Sequence, residues 1–196
     1  MPDANDRSHG YDELAESYVA RRNSRIGVAT VRAWAETLPR GAAVLDLGCG
    51  HGVPISNTLI EAGCLVHAID AAPNMVAAFR ARFPGVPVAC EPIESSTLFN
   101  REFDAAIAWG VMFLLPLETQ SRVIENVARG LKPGGSFVFT SPMQECSWQD
   151  VLTGHPSMSP GADVYRRLLD EAGLTLVREL DDEGENHYYV SIKRDA

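Results

Sequence analysis

The 196-residue sequence predicts one doubly wound α/β domain, a mostly parallel sheet covered by helices on both faces. Three observations predict it. From residue 42 onward, short apolar runs alternate with helix-period segments. Most of the runs are continuously apolar, as strands buried on both faces must be. The last two runs, "LTLVREL" and "HYYVSIKR", are joined by "DDEGEN" and read as an antiparallel hairpin at a sheet edge.

Taken in order, residues 11–37 read as helical. In "YDELAESYVARR", Tyr11, Leu14, Ala15, Tyr18 and Val19 fall on one helix face, and "RIGVATVRAWAETL" continues to a stop at Pro39. "AAVLDLG" is the first strand and "ISNTLIEAG" a helix ending at Gly63. "LVHAID" is a strand, and "APNMVAAFRARFPG" a helix with Pro73 near its start. "VPVACEP" and "FDAAIAW" are strands, "PLETQSRVIENVARGLKPGG" a helix and turn, and "SFVFTSP" the fifth strand. "GADVYRRLLDEAGL" is the helix before the final hairpin.

The net charge of −9 argues against a protein that grips a nucleic-acid backbone, and equally against one held to an anionic membrane surface. The first residues are polar, without an apolar signal core, and the longest apolar stretch, Ala105 to Leu117, is too short to span a bilayer. These features lead us to expect a soluble cytoplasmic protein with a small-molecule partner. Cys49, Cys64, Cys90 and Cys146 lack metal-site spacing and read as buried or half-buried thiols, with no metal centre.

The densest signal is "VLDLGCGHGVP", where Gly48, Gly50 and Gly52 alternate after the first strand. In a doubly wound sheet, ligands sit beyond the carboxyl ends of the strands, and glycines there let backbone approach them. The dinucleotide spacing GxGxxG is not met, because Val53 stands at its third glycine. Pro54, where the next helix begins, removes an N–H that a pyrophosphate would use.

The segment "VLDLGCGHG" resembles the first motif of the class I S-adenosylmethionine-dependent methyltransferases. "HAIDAAPNMV", "REFDAAIAWGVMFLLP" and "ARGLKPGGSFVFTSP" resemble three further motifs of that family, in order. The resemblance implies a three-layer Rossmann-like core over residues 39–196. Its seven strands would run 3-2-1-4-5-7-6 with strand seven antiparallel, and residues 1–38 would form a helical cap on the single domain. It implies S-adenosyl-L-methionine as cofactor and methyl transfer to a small-molecule acceptor, by a monomer or homodimer.

The resemblance also distributes roles. Asp70, ending the second strand, is expected to accept the ribose hydroxyls, with Ala71 and Met75 against adenine. Asp46 is expected to orient the loop or meet the methionine amino group, and Gly48 and Gly50 to lie along the methionine part. After the third strand, alignment on Leu98-Phe99 favours the Ile93 N–H and the Glu94 side chain at adenine, while counting from the strand favours Glu91. Trp109 is expected near the transferable methyl. Tyr11, Tyr18, Arg21 and Arg22 resemble a cap folded over the cofactor, an arginine meeting the methionine carboxylate.

The acceptor is far less legible. A nucleophile attacks the sulfonium methyl in line, so alignment carries most of the catalysis and a base is needed only for a protonated nucleophile. "WGVMFLLP" carries Phe113 and Leu114 where many relatives have histidine, and no catalytic residue is assigned. Cys49 and Cys90 do not complete the cysteine set that an arsenic acceptor would need. The segment Met143 to Tyr165 is expected to cover the acceptor, with Trp148, His155 and Tyr165, then His187 and Tyr188, as candidates. Two other readings remain at this stage, a non-catalytic S-adenosylmethionine-binding protein and an NAD(P)-dependent oxidoreductase.

Overall fold

A computed structural model describes residues 6–21 and 25–195, with the backbone alone at Arg21. Two N-terminal helices, α1 (Tyr11–Arg21) and α2 (Val28–Ala35), lie within the stretch expected to be helical over 11–37. Gly27 breaks the run with a φ of 81° at the start of α2.

The core elements follow as β1 (Ala43–Leu47), α3 (Ile55–Glu61), β2 (Leu65–Asp70), α4 (Pro73–Arg82), β3 (Val88–Cys90) and β4 (Phe103–Ala108). Then come α5 (Leu117–Gly130), β5 (Leu131–Thr140), β6 (Glu145–Gln149), β7 (Pro156–Pro160), α6 (Ala162–Glu171), β8 (Leu174–Asp181) and β9 (His187–Lys193). The main sheet has seven strands in the order β3-β2-β1-β4-β5-β9-β8. Pairing is parallel from β3 to β5 and antiparallel on both sides of β9. This is the expected topology, with the last two labels moved on by an additional hairpin. That hairpin, β6 with β7, forms its own two-stranded sheet where the sequence reading had no regular structure. β6 alternates exposed and half-buried residues while β7 is mostly buried, and the prolines and serines hide any strand pattern in the sequence.

The central strands β1, β4 and β5 are buried on both faces, and side-chain alternation divides them between two cores. Ala43, Leu45 and Leu47 of β1 join Ala106, Ala108, Phe137 and Phe139 beneath α5 and α6. Val44, Ala105, Ile107 and Val138 join Val31 of α2 and Leu59 of α3 on the other side. Each large side chain buried in this way contributes roughly 1.5–3 kcal/mol.

A third, smaller cluster fixes the N-terminal cap. Ala15, Tyr11 and Tyr18 of α1 pack on Ala72 and Met75 at the start of α4. Ala72 supplies no side-chain cap for α4. Asp12 does so from another helix: its carboxylate accepts from the Asn74 N–H at 2.6 Å and from the Asn74 side chain. The cap and the core thus share one helix terminus. Among the described residues, no helix is long and apolar enough to cross a membrane.

Candidate active site

The parallel strands β1, β2, β3 and β4 all end on one side of the sheet, and the loop after β1 crosses that side. The Gly48 and Cys49 amides donate to the Ile69 carbonyl at 2.8 and 3.0 Å, which fastens the loop to the end of β2. The Asp70 carboxylate then accepts from the Gly50 N–H at 2.7 Å and from the Ala72 N–H at 2.8 Å. One side chain therefore holds both the glycine loop and the entry to α4. Burial pushes its pKa up, and the two N–H donors oppose the shift.

The three glycines have three separate reasons. A Cβ on Gly48 would stand 2.7 Å from Val111, so the loop passes directly under the segment after β4. A Cβ on Gly52 would meet Phe83 at 2.4 Å and Phe79 at 2.9 Å, so this glycine admits aromatic rings of the core. Gly50 differs: its φ is +54°, and an added Cβ would find only the Met75 sulfur, 4.0 Å away. A side chain there would project into empty space.

That space is a cavity of about 220 Å³. Of the residues the sequence predicts for the site, Tyr18, Gly48, Gly50, Asp70, Ala71, Met75, Ile93, Glu94 and Trp109 line it, as does Tyr11 of the cap. Glu91, the alternative to Ile93 and Glu94, does not line it. Asp46 is also absent from the wall. It is 1% exposed and accepts from the Ser56 hydroxyl in the first turn of α3, so it acts beneath the loop. Burial pushes its pKa up to about 7, against the Ser56 hydrogen bond and with the help of the nearby Asp70 charge. Arg22 lies outside the described residues, and the side chain of Arg21 is not described.

The cavity's cover comes from the N-terminal stretch and from the Met143 to Tyr165 segment expected to cover the acceptor, through residues that the sequence did not single out. Arg7, Ser8 and His9 line it from the segment before α1, and Asp150 and Leu152 from the turn between β6 and β7. Arg7 pairs with Glu94 at 3.0 Å, and the Tyr11 hydroxyl donates to Asp150 at 3.2 Å. Asp150 also accepts the Leu152 and Thr153 N–H groups, and Asp6 accepts those of Ser8 and Gly10. Both are aspartate-led turns, in "DRSHG" and "DVLTG", and that short signal was available in the sequence.

The Trp109 Nε1–H donates to the Tyr188 hydroxyl at 2.5 Å, and that hydroxyl donates to Asp182 at 2.9 Å. A relay of side chains thereby joins the first cavity to the turn of the final hairpin. Of the acceptor-side candidates, Trp148 and His187 line a second cavity. Tyr165 is a core residue, fully buried, bonded to Gln120 and Ser141, and its pKa is pushed up to about 12 by burial. His155 lines neither of these cavities and packs edge-on to His9 with ring centroids 6.0 Å apart.

Residues 44–135, which contain the glycine loop, Asp70 and the β4 end, match the sequence family described as methyltransferase domain. That match, together with the seven-strand order, supports a class I S-adenosylmethionine-dependent methyltransferase. Among curated relatives, the chain is 32% identical over 117 residues to dimethylglycine N-methyltransferase of Parasynechococcus marenigrum, an alignment covering 56% of this chain and 40% of the relative. It is 36% identical over 99 residues to cypemycin N-terminal methyltransferase of a Streptomyces species, covering 49% and 40%. The chain therefore spans about two fifths of the length of these relatives. Its fold matches 1,6-didemethyltoxoflavin-N1-methyltransferase of Burkholderia thailandensis, solved with bound 1,6-didemethyltoxoflavin and S-adenosylhomocysteine, with a TM-score of 0.72 and 21% identity over 100% of this chain and 93% of the other.

Proposed function

We propose that this chain binds S-adenosyl-L-methionine in the cavity above Gly50 and transfers its methyl group to a small-molecule acceptor. The observation that carries the reading is the Gly50–Asp70 hydrogen bond beside a glycine whose missing Cβ leaves the cavity open. Each Asp70 oxygen accepts one backbone N–H and keeps lone-pair capacity for a ribose hydroxyl. Met75 and Ile93 give an apolar slot for adenine, and Glu94 stands beside it with Arg7 as its partner.

When bound, the cofactor supplies an activated methyl on a sulfonium, whose C–S pair returns to sulfur as the acceptor forms its new bond to carbon. The protein's own part is alignment and exclusion of water. Trp109 and Val111 close the cavity from the β4 side, Tyr11 and Tyr18 from the cap, and Leu152 from the hairpin. Holding reactants in line in this way supplies roughly 7–11 kcal/mol of the barrier.

Calorimetric titration with S-adenosylmethionine and S-adenosylhomocysteine, with NADH as the comparison, tests the reading. Micromolar binding of the first two and none of NADH is the expected result. Absence of both would remove it.

A further inference from the structure

We propose that the acceptor is an aliphatic amine bearing an aromatic ring, which arrives as an ammonium ion and is seated between the Phe113–Trp148 ring pair and the carboxylates of Asp181 and Glu185. This deepens the methyl-transfer reading and rests on it.

The seat is a second cavity of about 540 Å³, a size typical of small-ligand sites. Phe113 and Asn186 line both cavities, so the two adjoin at the β4 end. Phe113 and Trp148 face each other with ring centroids 5.4 Å apart and planes inclined by 45°. They bring together the segment after β4 and the separate hairpin, and their faces are suited to a flat or cationic group.

The charge on the wall has one sign. Its titratable residues are Asp181, Asp182, Glu185 and His187, and neither lysine nor arginine lines it. Asp182 is committed within the protein, to Gly184, Asn186 and Tyr188. His187 is held between Asp181 and Glu179. Asp181 remains largely exposed, and the side chain of the exposed Glu185 makes no hydrogen bond or ion pair among the described residues. An anionic acceptor would meet these carboxylates with only His187, already bonded to Asp181 and Glu179, to offset them. A neutral acceptor would leave them unused. An ammonium ion answers both the charge and the rings.

The chemistry balances with water as the proton acceptor. The ammonium gives one proton to water, and its nitrogen lone pair forms the N–C bond as the C–S pair returns to sulfur. The positive charge then resides on nitrogen, beside the same carboxylates.

The test uses protein saturated with S-adenosylhomocysteine, whose own titration is read first. Failure there removes the methyl-transfer reading and leaves the acceptor question separate. Phenethylamine is then titrated against 3-phenylpropionate. The amine is expected to bind at least about tenfold more tightly. Asp181→Asn with Glu185→Gln should erase most of that preference while leaving S-adenosylhomocysteine affinity unchanged. Glu185→Gln alone, on an unpartnered surface side chain, should reduce it without any question of folding. Equal or tighter binding of the carboxylate, no binding of the amine, or a preference that survives both substitutions would overturn the proposal. Titration with phenylalanyl-alaninamide assigns the source: tighter binding than phenethylamine indicates a peptide amino terminus, weaker binding a free amine, and each keeps the cation.

Discussion

The amide of Gly50 and the carboxylate of Asp70, 20 residues apart in sequence, lie 2.7 Å apart as donor and acceptor. The residue that opens the cavity is thus fixed by the residue proposed to bind in it. Asp70→Ala removes the acceptor for two backbone N–H groups, each worth about 1–3 kcal/mol when left unpaired. We expect lower stability together with a loss of S-adenosylhomocysteine affinity of about a hundredfold. Unchanged affinity in a folded Asp70→Ala protein, read by calorimetry, would remove its ribose role.

Gly50 and Gly52 should separate binding from stability. Gly52→Ala places a Cβ within 2.4 Å of Phe83 at a φ of +86°, so overlap adds to backbone strain and we expect a loss of about 3 kcal/mol or more. Gly50→Ala meets no protein atom closer than 4.0 Å and should cost only the backbone term, about 1–2 kcal/mol, yet weaken S-adenosylhomocysteine markedly. Chemical denaturation and calorimetry on the two variants check the division. Equal behaviour in both measurements would contradict it.

Asp46 gives a pH signature. Its pKa rises from 3.8 to about 7 in the folded chain, so the fold binds a proton that the unfolded chain has already released. Its contribution is fully present below about pH 4 and is lost as pH rises through 7, a change of about 2–4 kcal/mol. The difference in unfolding free energy between the native chain and Asp46→Asn should therefore shrink from pH 4.5 to pH 8. A difference constant across that range would contradict the assignment.

The cap should loosen when its borrowed helix terminus is lost. Asp12→Ala removes the acceptor for the Asn74 N–H, with an expected cost of about 1 kcal/mol. Amide exchange should quicken selectively over residues 11–18, while β1 and β4 stay protected. Uniform acceleration would show that the cap and core open together.

The sheet was legible because its strands are continuous apolar runs with helices between them, and a parallel sheet has few other ways to read. The Gly48–Gly50 loop and Asp70 were legible because close backbone approach and a strand-end carboxylate leave marks in residue type. Glu91 against Glu94 could not be decided from spacing, since the turn after β3 sets which one faces the cavity. The hairpin β6–β7 was missed because its prolines and serines break the strand pattern that the cross-strand ladder supplies only after folding. Tyr165 looked like a candidate because a tyrosine in an irregular region is ambiguous. Its two hydrogen bonds, to Gln120 and Ser141, are long-range in sequence and belong to the core.

The hairpin β6–β7 pairs only with itself and shares no ladder with the seven-stranded sheet. Exchanging its residues therefore leaves the register that brings Gly50 to Asp70 intact. Trp148 and Leu152 sit on that detachable piece, one in each cavity wall, while the loop and the carboxylate sit on the frame. On the proposed reading the hairpin supplies part of the acceptor wall and the frame holds the donor loop, so grafting alternative hairpins onto an unchanged scaffold becomes a route to altered acceptors.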